Sequence, residues 1–340
     1  MIKTRVLAVD ADEPDAEAIA EAAEALARGG LVAFATETVY GLGAVATNAA
    51  AVGRIFEAKG RPSFNPLIVH ASGIDHARAF AGAWPDAAER LAEAFWPGPL
   101  TLVLPKTAAI PDIVTGGGQT VGLRVPAPRV ARALIARVGL PVAAPSANRS
   151  NRISPTLAEH VLADLDGRVD VILDSGPASV GLESTVLNLA SDPPRILRPG
   201  PIGLDELSPF VDGLGARPTE RTERCRLASP GMLPVHYAPR TRAVRVDSAD
   251  RLAEIGWPDR AGLLALAPFE PGAIPSAVER LEFLDPTTAA RGLYAAMRAL
   301  DDRGLDLIVV LMPPPGREWD ALRDRLTRAT QPPSPGTPIF

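Results

Sequence analysis

The chain has 340 residues, and the 46% that are apolar are enough for two globular domains with separate cores. Its formal net charge of -5 excludes a protein whose main role is to coat nucleic acid, although a local basic site remains compatible. A single cysteine, Cys225, excludes a disulfide framework and indicates a reducing compartment. We find neither a signal peptide nor a run of about 18 apolar residues, so we expect a cytoplasmic protein without a membrane span.

The first predicted elements lead to two motifs. Residues 12–28 are rich in alanine and glutamate and predict a helix, with Asp12 as the candidate N-cap. The short strand LVAFAT follows and delivers TETVYGLG (36–43) as a loop at its carboxyl end, where α/β sheets place ligand loops. An alanine-rich helix then leads to KGRP (59–62) and to the strand PLIVHA (66–71).

Between residues 86 and 202 the predicted strands outnumber the helices. Helical patterns cover 86–95 and 128–138, and the remaining apolar runs are short and separated by turn residues. The sequence SAN (146–148) stands where one buried strand breaks at a proline. This excess of strands predicts an α/β fold with a mixed, twisted sheet and helices packed on it.

The predicted domain organisation has four parts. Residues 1–207 form the catalytic domain, and 208–240 form a linker rich in arginine, proline and threonine. Residues 241–330 alternate strands and helices and predict a smaller Rossmann-like α/β domain, without the GxGxxG sequence of a dinucleotide site. Residues 331–340 predict a disordered tail.

Four cations stand at strand or helix ends beside glycine or proline: Lys59, Arg61, Arg124 and Arg198. Each alone is more typical of a solvated surface charge. Four of them in an acidic chain favour a shared anion site, because the planar guanidinium matches phosphate and carboxylate groups. Gly41 and Gly43 would supply unusual backbone conformations to the nearby loop.

Hydroxyl and amide side chains complete the candidate site. Turn and cap chemistry explains Ser154 well, whereas for Ser146 and Ser184 a turn and a ligand contact are equally compatible with the pattern. We find no GxSxG sequence, no zinc-ligand spacing and no P-loop, so neither covalent serine catalysis, zinc nor standard P-loop ATP binding is favoured. A site rich in cations and donors but poor in nucleophiles suits phosphoryl or nucleotidyl transfer, where positioning and charge stabilisation dominate.

A family resemblance rests on motifs that occur in a fixed order. They are TETVYGLG, KGRP with NPLIVH, WPGPLTLV, VGLRVP, PSANRS, GLESTV and LRPGPI. Together they closely resemble the YrdC-like family, and specifically the threonylcarbamoyl-AMP synthases. The later SPGM and HYAP sequences, with the second α/β domain, resemble the long two-domain form of that enzyme.

The resemblance implies a nucleotidyltransferase, L-threonylcarbamoyladenylate synthase. It would make threonylcarbamoyl-AMP and pyrophosphate from L-threonine, bicarbonate and ATP, with magnesium carried by the ATP and no metal site in the protein. A partner complex would then transfer the threonylcarbamoyl group to a tRNA adenosine, so this step of tRNA modification requires no stable tRNA binding.

The resemblance also implies roles for individual residues. Positions that resemble threonine ligands are Thr36, His70, Arg124 and Ser184. Positions that resemble ATP ligands are Tyr40, Arg61, Asn65, Asn148, Ser154, Arg198 and Tyr237. Lys59, Tyr40 and Ser146 match motif positions near the phosphates and the reacting carbamate. We expect Lys59, Arg61 and Ser146 to be catalytic.

Two of these positions, and one position outside the list, need further interpretation. His70 ends an apolar strand, where a histidine is often only a core residue, but the resemblance favours a ligand. Tyr237 could make the linker a lid that excludes water from a hydrolysable product. Asn151 replaces the family's usual glycine, and a left-handed backbone position would tolerate it.

Two other functions are compatible with parts of the pattern. An RNA-binding relative without synthase activity would use the basic cavity, but the acidic charge balance disfavours it. A carbamoyl transferase of the hydrogenase-maturation type would need a cysteine-rich zinc segment, which one cysteine cannot provide.

Overall fold

The computed structural model describes residues 3–214, 236–270, 272 and 274–332. Most of the predicted linker and of the predicted disordered tail lies outside these ranges. The chain divides into two compact units, which are described separately. The first unit contains the residues up to Ser150, Pro155–Ser179 and the described residues from Glu183 to Leu214.

The first unit contains ten described strands and eight described α-helices. They are β1 (Arg5–Ala8), α1 (Ala16–Ala27), β2 (Val32–Ala35), β3 (Tyr40–Val45), α2 (Ala49–Lys59), β4 (Ile68–His70), α3 (Ile74–Arg78), α4 (Asp86–Phe95), β5 (Leu100–Pro105), α5 (Asp112–Thr115), β6 (Thr120–Arg124), α6 (Arg129–Val138), β7 (Val142–Ala143), α7 (Ala158–Leu165), β8 (Val171–Asp174), β9 (Thr185–Asn188), β10 (Arg195–Arg198) and α8 (Leu204–Leu207). A 3₁₀ turn, Ser208–Phe210, follows α8.

The strands form one sheet in the order β1-β8-β2-β3-β7-β4-β6-β5-β9-β10. The sheet contains both parallel pairs, such as β4 with β6, and antiparallel pairs, such as β5 with β6. Many of the strand residues are fully buried, as in β2 and β3, which is typical of a sheet with helices on its faces. The prediction of a mixed sheet with packed helices is confirmed.

The start of α1 differs from the prediction. The helix begins at Ala16 because the carboxylate of Asp15 accepts hydrogen bonds from the main-chain nitrogens of Glu17 and Ala18, both at 2.9 Å. Asp12 is not the N-cap, and its nitrogen instead donates to the carboxylate of Asp10. An aspartate at each of these positions can cap a helix, so composition alone could not select between them.

Half of the segment predicted as a ligand loop is a strand. Only Thr36–Val39 turn, and β3 then pairs antiparallel with β2, with Ala35 opposite Tyr40 and Val32 opposite Gly43. Gly41 and Gly43 therefore provide space rather than unusual dihedral angles. A Cβ on Gly43 would lie 2.8 Å from the Phe34 ring and 2.9 Å from Val142 Cγ1, too close for any side chain.

The second unit has its own parallel sheet. Its elements are β11 (Ala243–Val246), β12 (Ala261–Ala265), β13 (Glu279–Glu282), α9 (Pro286–Asp301), β14 (Leu307–Leu311) and α10 (Asp320–Ala329). The strand order is β11-β14-β12-β13, and each pair is parallel, which confirms the predicted second α/β domain. The helix predicted at 248–255 is a 3₁₀ helix, Ala249–Glu254.

Two short segments that interrupt the first unit along the chain belong to the second unit: Asn151–Ser154 and Val180–Leu182. The main-chain nitrogen of Ala238 donates to the Asn151 carbonyl at 2.9 Å, and Arg298 donates to the Ile153 carbonyl. Asn151 has a φ of 66°, so the expected left-handed backbone at this position is confirmed. None of the described helices is long and apolar enough to cross a membrane.

Candidate active site

The four cations singled out in the sequence are all buried. Lys59, Arg61, Arg124 and Arg198 expose 2%, 7%, 4% and 5% of their surfaces. A solvated surface role is therefore excluded for each of them. Since burying a cation without partners is costly, the contacts of each side chain indicate what it does.

His70 and Arg124 are neighbours in the sheet. They occupy the last positions of β4 and β6, which pair in parallel, and they lie directly opposite each other. Thr101 Oγ1 in β5 lies 2.8 Å from Ser184 Oγ, immediately before β9, and Arg198 ends β10. The strand directions bring these five side chains to one edge of the sheet.

Two protein contacts orient the guanidinium of Arg124. Its Nε donates to the Gly98 carbonyl at 3.2 Å, and its Nη2 lies 2.8 Å from Oε1 of Glu37. The latter contact is an ion pair whose geometry falls short of a hydrogen bond. The other Glu37 oxygen accepts from the Ala127 nitrogen at 3.1 Å. These contacts use Nε and Nη2, and Nη1 has no hydrogen bond to a described residue.

Glu37 was missed by the sequence analysis. Its side chain is buried, and it comes from the turn after β2 to balance the charge of Arg124. The available signal was its place inside TETVYG, between two threonines. We had assigned chemistry only to the hydroxyl groups of that motif.

The His70 imidazole is neutral, and one of its ring nitrogens lacks a hydrogen-bond partner among the described residues. Burial, and next to it the positive charge of Arg124, lower the pKa of His70 to about 3. Its Nδ1 is buried and has no partner among the described residues, and the Phe34 ring packs edge-on at 6.4 Å between ring centroids. An orphan buried nitrogen of this kind calls for a ligand atom.

Ser184 and Arg198 are joined. The Nε and Nη2 atoms of Arg198 donate to the Ser184 carbonyl at 3.1 and 3.0 Å, and Nη2 also lies 3.2 Å from Ser184 Oγ. Residues predicted separately for threonine and for ATP therefore contact each other. The two parts of the predicted site are continuous at this point.

The Thr36 hydroxyl is used within its own turn. It donates to the Val39 carbonyl at 2.6 Å and accepts from the main-chain nitrogens of Thr38 and Val39 at 3.2 Å. The Thr38 hydroxyl lies 2.7 Å away. This hydroxyl stabilises the turn that presents Glu37, so its turn role is observed directly while its ligand role stays a prediction.

Lys59 joins the end of α2 to the SAN segment. Its Nζ donates to the carbonyls of Ser146 and Asn148 at 2.6 and 2.5 Å, and the amide oxygen of Asn148 lies 3.4 Å away. Ser146 Oγ donates to that amide oxygen at 2.6 Å. Three predicted site residues, Lys59, Ser146 and Asn148, are therefore in contact with one another.

The charge of Lys59 is less fixed than the sequence suggested. Burial and the nearby guanidinium of Arg61 lower the pKa of Lys59 well below its ordinary range. Three oxygen acceptors, the carbonyls of Ser146 and Asn148 and the Asn148 amide oxygen, favour the charged form of Lys59 instead. An ammonium group can donate to all of them. A phosphate group placed beside Nζ would raise the pKa of Lys59 again, because it adds negative charge.

Arg61 and Asn65 form a compact polar turn before β4. Arg61 Nη2 donates to the Pro66 carbonyl at 3.0 Å, and its Nε lies 3.4 Å from the Asn65 carbonyl. Both amide atoms of the Asn65 side chain are buried without a partner among the described residues. A ligand that both donates and accepts would satisfy this amide.

Tyr40 is fully buried, and its hydroxyl donates to the Gly176 carbonyl at 2.7 Å, so its observed contact is structural. Burial and the nearby Asp174 carboxylate raise the pKa of Tyr40. The remaining predicted ligands, Ser154 and Tyr237, belong to the second unit. There Tyr237 stacks on Tyr294 at 5.7 Å between ring centroids.

The comparisons with known proteins identify the family. Residues 24–200 match the Sua5/YciO/YrdC family, described as "Telomere recombination", and residues 202–331 match "Threonylcarbamoyl-AMP synthase, C-terminal domain". The chain belongs to the threonylcarbamoyl-AMP synthase family. The resemblance seen in the sequence is thereby confirmed for both parts of the chain.

Individual relatives extend over most of the chain. The threonylcarbamoyl-AMP synthase of Bacillus subtilis is 41% identical and covers 92% of each chain. That of Pyrococcus abyssi is also 41% identical, over 85% of this chain and 86% of its own. The crystal structure of P. abyssi Sua5 complexed with L-threonine has a TM-score of 0.85 at 36% identity and covers 97% of both chains. The E. coli YciO structure, at 24% identity and a TM-score of 0.52, shares the fold over 59% of this chain and 97% of its own.

Proposed function

We propose that the chain is an L-threonylcarbamoyladenylate synthase. It would combine L-threonine and bicarbonate into a carbamate, and a carbamate oxygen would then attack the α-phosphorus of ATP and displace pyrophosphate. The observation that carries this proposal is the set of buried polar groups at the sheet edge, which need a ligand of matching chemistry. Family membership supplies the identity of that ligand.

The amino-acid end of the site would be formed by Arg124, His70, Ser184 and Thr36. Nη1 of Arg124 would pair with the threonine carboxylate, because Glu37 and Gly98 already hold the rest of the guanidinium. Neutral His70 would offer Nδ1 as a donor or an acceptor without adding charge. The bound L-threonine of the P. abyssi relative supports this choice of substrate.

The nucleotide end would use the remaining predicted residues of the first unit. Lys59, Arg61 and Arg198 would offset the negative charge that builds on the triphosphate as pyrophosphate leaves. Ser146 would position the reacting groups together with Lys59, and the other ATP contacts made by the first unit would come from Tyr40, Asn65 and Asn148. Asn65 is the most specific of these assignments, because its whole amide is buried without a partner among the described residues.

Magnesium would enter with ATP as part of the substrate. Among the described residues no group of three or more His, Cys, Asp or Glu side chains could hold a metal ion. The ion would therefore be bound mainly by phosphate oxygens and water, as magnesium prefers. The product would pass to a complex that modifies tRNA in the cytoplasm, without stable tRNA binding by this chain.

The test is pyrophosphate release by the purified protein with magnesium ATP, L-threonine and bicarbonate, together with mass detection of threonylcarbamoyl-AMP. We expect release only when all three substrates are present. Release without L-threonine, or none at all, would exclude the proposal. Consumption of carbamoyl phosphate with release of inorganic phosphate, in place of pyrophosphate release that depends on L-threonine and bicarbonate, would indicate a carbamoyl transferase. Tight RNA binding without pyrophosphate release would indicate an RNA-binding relative.

A further inference from the structure

Thr101 has no role in the assignments above, yet it lies in the candidate site. It is the second residue of β5 and is fully buried. Its Oγ1 lies 2.8 Å from Ser184 Oγ, although 83 residues separate the two in the chain. A buried hydroxyl that reaches the side chain of a substrate-binding serine can fix the direction of that serine's proton.

The hydrogen-bond capacity of Ser184 limits the possible arrangements. A serine hydroxyl has one proton and can accept two hydrogen bonds. Arg198 Nη2, which can only donate, takes one accepting position at 3.2 Å. If Thr101 donates as well, both accepting positions are filled, and the Ser184 proton is the part of the hydroxyl left for a substrate.

The opposite arrangement suits an anionic substrate less well. If Ser184 donated its proton to Thr101, it would present only a lone pair to the substrate, and a lone pair repels a carboxylate or carbamate oxygen. The first arrangement instead gives a hydrogen bond to a charged acceptor, which is stronger than a bond between neutral groups. A carboxylate or carbamate oxygen of the substrate at Ser184 therefore selects Thr101 as donor.

We propose that Thr101 is a positioning residue that turns the Ser184 hydroxyl so that its proton faces the amino-acid substrate. This inference rests on the proposed function, and it adds a residue to the machinery for that same site. Thr101 itself acts only through Ser184.

The effect of Thr101 should be confined to the amino acid. Arg198 is held independently by its two bonds to the Ser184 carbonyl, so it remains in place when the Thr101 hydroxyl is removed. The Michaelis constant for L-threonine should therefore rise while that for ATP stays the same. A purely structural role of Thr101 would not raise the Michaelis constant for L-threonine while leaving that for ATP unchanged.

Three variants of the full chain test the proposal by steady-state pyrophosphate release, with each substrate varied in turn. T101A removes the hydroxyl without adding bulk, T101V keeps the side-chain shape, and T101S keeps the hydroxyl. We expect T101A and T101V to raise the KM for L-threonine by about three- to tenfold, the value of one hydrogen bond. T101S should restore the wild-type KM. Thermal unfolding of each variant checks that it is folded.

The outcomes separate this inference from the proposed function. If the wild-type protein shows no threonine-dependent release, the proposed function fails. If the wild type is active and T101A has an unchanged KM for L-threonine, the role of Thr101 is wrong. An equal rise in both Michaelis constants, or a failure of T101S to restore the KM, would also overturn it. Should T101A and T101V not fold, calorimetric binding of L-threonine to T101S still tests it, because loss of binding there would contradict the proposal.

Discussion

At the scale of single residues, the buried His70 predicts an unusual dependence of stability on pH. Its pKa is about 3 in the folded protein and near 6.5 when unfolded, so below pH 6.5 the unfolded state binds a proton that the folded state does not. The free energy of unfolding should therefore fall by roughly 2 kcal/mol between pH 7 and pH 5 because of this residue. Denaturant unfolding at several pH values measures it.

Two histidine variants make this prediction specific. H70Q has no group that titrates in the range, so its stability should fall less steeply between pH 7 and pH 5. H76Q is the matched control, because His76 is only partly buried and its pKa is lowered less. An H70Q protein with the wild-type pH slope would show that His70 takes up its proton normally in the folded state.

The ion pair between Glu37 and Arg124 predicts a second effect. Replacing Glu37 by alanine leaves a buried guanidinium without its charge partner, which costs about 3 kcal/mol of stability. L-Threonine should recover more stability in E37A than in the wild type, because its carboxylate would supply the missing charge. Thermal unfolding with and without L-threonine measures both effects.

Glu24 provides the control for Glu37. It pairs with Arg28 on the surface of α1, and both side chains are mostly exposed, so E24A should change stability little. If E37A and E24A are equally stable, the buried pair does not have the energetic role given to it here.

At the scale of elements, Lys59 predicts a local change in one loop. Substitution by alanine removes the donor shared by the Ser146 and Asn148 carbonyls, while the Asn48 cap and the apolar face of α2 remain. We expect faster hydrogen exchange in residues 144–150, loss of pyrophosphate release and an otherwise intact fold. Exchange followed by mass spectrometry locates the change.

Lys106 is the matched control for Lys59. It also donates to a main-chain carbonyl, that of Ile110, and pairs with Asp112, neither of which is a predicted ligand. K106A should therefore accelerate exchange near residue 110 and leave pyrophosphate release unchanged. If K59A is inactive but its hydrogen exchange in residues 144–150 is as slow as in the wild type, Lys59 acts on the substrate alone.

The elements also show what sequence patterns can and cannot predict. Helices such as α6 were predictable because apolar residues recur at helical spacing over three turns. The β3 strand was not predictable, because its two glycines are typical of a loop. Only the structure shows that the Phe34 and Val142 side chains crowd Gly43. Local spacing carries no information about such contacts between distant segments.

The candidate site also contains some residues that the sequence predicts and others that only the structure reveals. Its cations and hydroxyls were visible because their motifs are ordered and similar to those of a known family. Glu37 and Thr101 lie inside the same motifs, but their roles follow only from the Arg124 and Ser184 atoms that they approach. Partner residues of this kind become recognisable only when the strands that carry them are paired.

At the scale of the whole molecule, the division into units departs from the order of the chain. The motif GLESTV is split, since Gly181 and Leu182 belong to the second unit, whereas Glu183 and Ser184 belong to the first. Gly181 has a φ of 82°, and a Cβ there would lie 2.5 Å from the Ala290 carbonyl oxygen in α9. Only glycine combines this backbone with so close an approach.

Gly181 therefore predicts the stability of the second unit. G181A should destabilise it by about 1 kcal/mol for the left-handed backbone and by about 2 kcal/mol more for the clash with α9. G304A is the matched control, because Gly304 lies in the same unit with a φ of 67° and has no atom within 4 Å of its Cβ position. G304A should therefore lose only the stability of about 1 kcal/mol that the left-handed backbone costs. Hydrogen exchange should accelerate in α9 and β14 of G181A, since Val180–Leu182 fold with these elements. Acceleration confined to β9 would contradict the assignment of Gly181 to the second unit.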